Sequence, residues 1–158
     1  MSKYIGVKIV KAEPMSEYNF AKQYKDISDL GNFKSEDGYI VEYEDGYISW
    51  SPKDVFEKAY RRIDNLNFGL AIEALKKGHK VARKGWNGKD MWIALMPSLY
   101  LKSDKVNSRT KKHIGNNNLD CQPYIVLWTA QNKWQPGWVA SQQDVLAEDW
   151  VILKGSDE

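Results

Sequence analysis

Residue types that bind nucleotides are concentrated in one glycine-rich stretch, residues 83–89, which reads RKGWNGK. Trp86 and Asn87 stand between two glycines there. An exposed indole can stack on a nucleobase for about 1–3 kcal/mol, and an asparagine amide pairs with an adenine edge. Arg83 and Lys89 are of the types that contact phosphate oxygens. The indole has two interpretations: a stacking platform held off a hairpin, or a ring folded back onto the core.

Groups that could break bonds are few. His79 and His113 are the histidines, and Cys121 is the single cysteine, so the chain lacks a disulfide framework and a thiolate cluster. No metal or phosphate-loop motif is present. Asp54 and Asp144 each fall at the third position of a predicted helix, where capping is the first explanation, worth about 1 kcal/mol. The sequence predicts binding rather than catalysis, with no cofactor and no metal.

Charge is nearly balanced, with 23 basic against 21 acidic side chains, but residues 98–118 are basic. This segment holds Lys102, Lys105, Arg109, Lys111 and Lys112 against Asp104. That excess favours a small anionic partner and is too narrow for a dedicated duplex-binding protein. We interpret the segment as a solvated loop in preference to a nucleic-acid surface.

Composition fits a globular protein, since 42% of the residues are hydrophobic and 28% are charged. Seven tryptophans are too many for one small core, so some should lie on a binding surface. No stretch is long and apolar enough for a membrane span, and the start lacks a signal peptide. We expect no membrane and no nucleic-acid partner, and a location in a reducing cytoplasm.

Hydrophobic patterning predicts an α+β fold of antiparallel strands and hairpins with a few short helices. Helices are predicted over 51–63, capped by Ser51, over 67–80, capped by Asn67 and ended by Gly78, and over 141–150, capped by Ser141. Strands and hairpins are predicted over 3–12, 39–50 with Asp45-Gly46 in a type I′ turn, 80–83, 91–96, 123–130, 134–141 and 149–153. Residues 97–120 are predicted to be a long polar connection, and residues 154–158 a free tail.

The sequence also suggests an internal duplication of a strand-turn-strand-helix unit. Tyr39-Ile40-Val41 matches Tyr124-Ile125-Val126, and residues 50–60 roughly match residues 138–150. The alternative is that Ser-x-x-Asp followed by a hydrophobic residue is merely a common helix start.

Three separated motifs resemble one known family. They are NFGLAIEALKKG, VARKGWNGK and WVASQQDVLAEDW, in that order within residues 66–153. Together they are similar to the phage anti-Thoeris sponge family, the second class of Thoeris anti-defence proteins. The resemblance implies a sponge-like domain over 66–158, with residues 1–65 forming an extra N-terminal module of hairpin and helix.

The resemblance implies that the protein binds a cyclic ADP-ribose isomer, or a cyclic dinucleotide, without cleaving it, so that the Thoeris effector stays inactive. It implies a homo-oligomer, which we expect to be a tetramer, with pockets between protomers. It places Trp86 and Asn87 in the pocket. Further candidates are Arg83 and Lys89 from their chemistry, and Tyr124, Ser141, Gln142 and Asp144 from the third motif. Two alternatives are an enzyme that hydrolyses or transfers ADP-ribose, and a phage nucleic-acid-binding protein.

Overall fold

The computed structural model describes residues 2, 7–25 and 33–153, and it has the predicted α+β architecture. The chain divides into two compact units, Met1–Arg61 and Arg62–Glu158. The division falls slightly before the boundary expected after residue 65. The predicted strand over 3–12 lies partly outside the described residues, and the tail over 154–158 lies wholly outside them.

The first unit is a three-stranded antiparallel sheet with two helices. Its elements are β1 (Lys11–Pro14), α1 (Glu17–Tyr24), β2 (Gly38–Glu42), β3 (Ile48–Pro52) and α2 (Lys53–Ala59), and the strand order is β1-β2-β3. Phe20 and Ala21 of α1 and Val41 of β2 are buried. Ser16 caps α1, because its hydroxyl accepts a hydrogen bond from the Asn19 N–H.

The hairpin predicted over 39–50 is confirmed, but the type I′ turn is wrong. Of the two turn residues, Gly46 alone takes a positive φ, +80°. Its N–H donates to the Tyr43 carbonyl at 2.9 Å, and the Tyr43 N–H donates to the Tyr47 carbonyl at 2.9 Å. The connection is therefore a three-residue loop that ends in a left-handed glycine, another common hairpin geometry.

The helix predicted to begin at Ser51 begins at Lys53 and ends at Ala59. Ser51 still belongs to β3, where its Cα pairs with that of Tyr39. Its hydroxyl donates to the Pro52 carbonyl at 3.5 Å. The predicted cap at Ser51, with its capping box to Asp54, is wrong because cross-strand pairing continues to Pro52.

The second unit is built on a five-stranded antiparallel sheet, order β10-β4-β5-β8-β9. Its elements are α3 (Phe68–Lys76), β4 (Val81–Arg83), β5 (Trp92–Met96), β8 (Tyr124–Trp128), β9 (Trp134–Pro136), α5 (Gln142–Val145) and β10 (Trp150–Ile152). Helix α3 begins after Asn67, whose side chain accepts from the Leu70 N–H at 2.9 Å. Gly78, with φ +89°, follows its end, so both predicted helix signals are confirmed.

The core of this unit lies between α3 and one face of the sheet. Val81, Ile93 and Trp150 are fully buried, and Leu75 of α3 packs in the same cluster. Because side chains alternate along a strand, Trp92 and Trp128 point to the opposite face from the neighbouring Ile93 and Leu127. The sheet therefore carries aromatic side chains on both faces.

Residues 97–121 are not a long loop. They form β6 (Leu99–Leu101), a short 3-10 helix (Ser103–Lys105), α4 (Ser108–Ile114) and β7 (Leu119–Cys121), and β6 pairs with β7. The asparagines that suggested a loop instead cap a helix or form hydrogen bonds between separate parts of the segment. Asn107 accepts from the Thr110 N–H at 2.9 Å, and Asn118 accepts from the Ser103 N–H at 3.2 Å. We call residues 97–121 the basic lobe.

The strand order is consistent with the duplication hypothesis. β1-β2-β3 followed by α2 matches β5-β8-β9 followed by α5. Ile40 pairs with Trp50, and the Ile125 carbonyl accepts from the Trp138 N–H at the matching position. The helix starts differ, since Ser141 caps α5 whereas Ser51 lies in a strand. Duplication remains a hypothesis.

Candidate functional site

The glycine-rich stretch joins β4 to β5. Neither Gly85 nor Gly88 has a positive φ; the residue of this connection that does is Asp90, with φ +56°. The two glycines are therefore explained by close packing and not by a left-handed turn. The Gly85 N–H donates to Asp149 Oδ2 at 2.7 Å, and a Cβ on Gly85 would lie 2.7 Å from the same oxygen. A Cβ on Gly88 would overlap the Met91 side chain. The sequence-based explanation of both glycines as turn formers is corrected accordingly.

The Trp86 indole folds back onto the core, so the platform standing off a hairpin is wrong. It is half-buried, and its ring packs edge-on against Trp150 at 5.4 Å and Trp138 at 6.0 Å between centroids. Its Nε1–H donates to Asp144 Oδ1 at 2.9 Å. The ring is therefore fixed both by packing and by a hydrogen bond, and part of it remains accessible to solvent.

Asp144 is the centre of a polar cluster beneath this indole. It is 8% exposed and sits in the first turn of α5, where it forms a capping box with Ser141. The Ser141 N–H and hydroxyl donate to Oδ2 at 3.0 and 2.6 Å. The Trp86 indole and the Arg83 guanidinium both donate to Oδ1 at 2.9 Å. The capping role predicted from sequence is confirmed, and the structure adds two further partners.

Arg83 joins two carboxylates. Its Nη1 donates to Asp144, while its Nε donates to Asp149 Oδ1 at 2.8 Å and its Nη2 to Asp149 Oδ2 at 3.4 Å. Its side chain is 16% exposed. Arg83 was predicted to contact ligand phosphates; each of its three nitrogens donates one hydrogen bond to a protein carboxylate, and a direct contact with a phosphate stays a prediction. Its role here is to position Asp144 and, through it, Trp86.

The pKa values of the cluster follow from these bonds. Burial alone would raise the pKa of Asp144, but hydrogen bonds from Ser141, Trp86 and Arg83 outweigh it and lower the pKa to about 2. The Arg83 hydrogen bond lowers the pKa of Asp149 against the effect of burial. The Asp149 and Asp144 hydrogen bonds raise the pKa of Arg83. At neutral pH all three side chains are charged, and their pKa values lie far from those of an efficient general acid or base.

An open cleft of about 430 Å³ adjoins the indole, within the size range of small-molecule sites. Its walls include aromatic, basic and acidic side chains, among them Lys84, Trp86, Asp90, Trp92 and Trp128.

Beside the cleft, three tryptophans cluster on the outer face of the sheet. Trp92 and Trp128 stack at 5.9 Å with an interplanar angle of 18°, and Trp134 meets both edge-on. The Lys80 ammonium lies 4.6 Å from the centroid of the Trp92 ring. The expectation that some tryptophans line a surface agrees with Trp134, which is 53% exposed.

The structure brings four predicted site residues into one cluster: Arg83, Trp86, Ser141 and Asp144. The other four lie elsewhere. Asn87 and Lys89 are exposed in the β4–β5 connection, and Gln142 is exposed in the first turn of α5. Tyr124 is half-buried at the start of β8, opposite Met96. Their direct contacts with a ligand remain predictions.

Sequence reasoning missed Asp149 and the wall formed by Trp92 and Trp128. Asp149 is 66 positions from Arg83 along the chain, so only strand pairing brings them together. β10 pairs with β4 so that Trp150 stands opposite Arg83, and Asp149 lies next to it. The alternation of WIALM and YIVLW was a signal that Trp92 and Trp128 share a face.

These features define a class: a small α+β domain with a tryptophan-walled cleft beside a fully paired ionic cluster. Residues 66–153 match the family model described as the Thoeris anti-defense 2-like domain, and the chain belongs to this family. It is also similar to a protein of Bacillus phage SP01 named Thoeris anti-defense 2. That relative is 42% identical over 91 residues, which cover 56% of this chain and 94% of the phage protein. The family resemblance inferred from sequence is confirmed.

Within residues 7–25 and 33–153, no cluster of three or more histidine, cysteine or carboxylate side chains is arranged to hold a metal ion. In the same described ranges, no helix has the length and apolar character to cross a membrane.

Proposed function

We propose that this chain is a phage anti-defence protein that captures a cyclic nucleotide immune signal and holds it without cleaving it. The signal is a cyclic ADP-ribose isomer or a cyclic dinucleotide, and its removal keeps the Thoeris effector inactive. Family membership and the name of the phage SP01 relative support an anti-Thoeris role. The observation that carries the proposal is the fixed, partly accessible Trp86 indole at the wall of an open, aromatic-lined cleft.

The chemistry of the cleft suits a cyclic nucleotide. Trp86, Trp92 and Trp128 line the cleft and offer apolar surface for a purine. Lys84 and Lys89 are exposed on that connection and supply positive charge for phosphate groups. Asn87 is exposed beside Trp86, where its amide can pair with a base edge. Capture therefore rests on residues that need no change of protonation.

The ionic cluster argues against the enzyme alternative. Hydrolysis or transfer of ADP-ribose needs a nucleophile or a base whose pKa is matched to its task. Asp144 and Asp149 have lowered pKa values, and hydrogen bonds occupy both carboxylates. Arg83 between them stays protonated. A rigid scaffold of this kind orients an aromatic ring without abstracting or donating a proton.

Tight capture requires the open cleft to be covered. A sponge acts stoichiometrically when its concentration exceeds Kd, and nanomolar affinity corresponds to about −12 kcal/mol. One stacked base and two phosphate contacts supply less than this, because ordering and association costs are subtracted. A second protomer over the cleft would complete the site, so the proposal includes a homo-oligomer, with a tetramer as the expected form.

Ligand recovery tests the proposal. The protein is incubated with excess cyclic ADP-ribose isomers or cyclic dinucleotides, separated from free ligand by gel filtration, and denatured. Mass spectrometry then identifies what is released. Sequestration predicts unchanged ligand in a fixed ratio to protein after short and long incubation. Linear or hydrolysed product that accumulates with time would establish the enzyme alternative, and absence of co-eluting ligand would refute capture.

A further inference from the structure

The basic lobe forms an ordered cationic surface that the proposed capture of a cyclic signal does not use. We propose that it binds single-stranded nucleic acid, with lysine and arginine side chains on the phosphates and Tyr100 as a stacking surface for a base. The sequence alone favoured a solvated loop for this segment. A folded lobe differs physically, because its backbone is already ordered and less entropy is lost on binding.

Charge on the lobe is largely uncompensated. All its basic side chains are exposed, and in the described part of the chain Lys105 alone among them has a carboxylate partner, Asp104 at 3.8 Å. Four basic side chains are left for an external anion: Lys102, Arg109, Lys111 and Lys112. Phosphates that these side chains neutralise release counterions, which drives association at low salt.

Helix α4 arranges part of this charge on one side. Arg109 and Lys112 are three positions apart, so they lie on the same face of the helix. Thr110 and Ile114 are half-buried, whereas Arg109 and Lys112 are exposed. The helix therefore turns Thr110 and Ile114 inward and directs this cationic pair to solvent.

Tyr100 supplies the second component of the surface. It lies on β6, opposite Asp120, and is 55% exposed. Its hydroxyl accepts a hydrogen bond from the Asn118 Nδ2 at 2.7 Å, which restrains the ring while leaving it accessible. The Ser103 N–H donates to the same Asn118 side chain, so this amide links the ring to the start of the basic segment.

The form of the surface favours a single strand over a duplex. A duplex hides its base faces, and the Tyr100 ring would then have no partner. Four basic side chains are also few for a duplex-binding protein, which usually presents a broad basic face. A flexible strand can place its phosphates on a short array of cations and turn one base onto the ring.

The lobe lies at the opposite end of β5 and β8 from the tryptophan cleft. It is inserted after Met96 and before Tyr124, a pair at one end of these strands, whereas Trp92 and Trp128 pair at the other end. The two ends are four residue steps apart along the strand, roughly 13 Å. The two binding activities can therefore be tested independently.

Fluorescence anisotropy of the full chain tests the proposal, with a labelled oligothymidylate about 20 nucleotides long as the probe. Four phosphate contacts predict a log–log salt slope near −3, or about a 50-fold loss of affinity between about 50 and 200 mM salt. The double variant Arg109→Gln/Lys112→Gln should halve that slope. Its matched control, Lys22→Gln/Lys58→Gln, removes the same charge from exposed sites in the first unit and should leave the slope unchanged.

Tyr100 gives a second comparison. Tyr100→Ala should weaken binding about tenfold or more, whereas Tyr100→Phe keeps the ring and should bind nearly as the parent does. Binding of a duplex of equal length as tightly as the single strand would overturn the proposal. So would equal losses in the two double variants, or absence of binding at low salt. Recovery of the cyclic ligand should be the same for Arg109→Gln/Lys112→Gln as for the parent. A failure of nucleic-acid binding can therefore be distinguished from a failure of signal capture.

Discussion

Replacement of Asp144 by asparagine tests whether the ionic cluster is what holds Trp86 in place. Asparagine keeps the shape of the side chain but removes its charge, as protonation of the aspartate would. The pKa of Asp144 is lowered from 3.8 to about 2, and each pKa unit corresponds to about 1.4 kcal/mol. The charged carboxylate therefore contributes about 2 kcal/mol to folding. Its side chain is only 11% exposed, so solvent screening subtracts little.

The stabilisation by Asp144 should also depend on pH, in a direction that follows from its lowered pKa. A pKa that is lowered by folding stabilises the protein above the unfolded-state value, and the contribution is lost as pH falls through the folded-state value. The difference in unfolding free energy between the parent and Asp144→Asn should be about 2 kcal/mol at pH 7, about half of that at pH 3, and only a small part of it at pH 2. Capping alone, as inferred from the sequence, predicts about 1 kcal/mol.

Urea unfolding followed by tryptophan fluorescence measures this difference. Trp50 is the one tryptophan of residues 1–61, so the other six of the seven report on the second unit. Glu148→Gln is the matched control, because Glu148 is exposed and lies one residue from Asp149. It should change stability by less than about 0.5 kcal/mol. A loss at pH 7 of about 1 kcal/mol or less for Asp144→Asn, or one that does not shrink in acid, would refute the reasoning.

Three further substitutions test the same site. Trp86→Ala should lower the free energy of unfolding by about 2–3 kcal/mol, because the indole packs against the core cluster. Trp86→Phe should lower it by about 1 kcal/mol, because the hydrogen bond to Asp144 is lost. Equal losses of stability in the two variants would contradict this account. Gly85→Ala should lower the melting temperature, since its Cβ would meet Asp149 at 2.7 Å, and an unchanged melting temperature would show that the carboxylate moves freely. Arg83→Lys should lower the free energy of unfolding by about 1–3 kcal/mol in chemical denaturation, because one ammonium group cannot bind both Asp144 and Asp149 as the guanidinium does. A variant as stable as the parent would show that this bridge does not stabilise the fold.

Local signals in the sequence predicted much of the fold. Asn67 before an apolar periodic run and Gly78 after it marked α3, because capping and left-handed glycine are local requirements. The capping box of Ser141 and Asp144 was equally clear, but the helix that was predicted to reach residue 150 ends at Val145. Ser51 carried a similar signal and was misread, since pairing between β2 and β3 overrode the local preference for a helix cap.

The site was less predictable because its contacts are long-range. Arg83 and Lys89 were grouped by proximity in sequence, yet Arg83 turns inward to two carboxylates more than 60 positions away. Trp86 was seen at a glycine turn, and nothing local indicates that Asp144 accepts its N–H. In the basic lobe, the cap of α4 by Asn107 is a local signal that was overlooked. The bond from the Ser103 N–H to Asn118 spans 15 positions, so the sequence alone does not indicate it.

The most direct test of signal capture is a calorimetric titration of the parent and of Asn87→Ala with the cyclic ADP-ribose isomers and cyclic dinucleotides. Asn87 is exposed in the β4–β5 connection, so its removal should leave the melting temperature unchanged. The account predicts saturable binding by the parent to at least one of these ligands, and an affinity lower by about tenfold or more for the variant. Absence of binding by the parent to every ligand in the series would contradict the account.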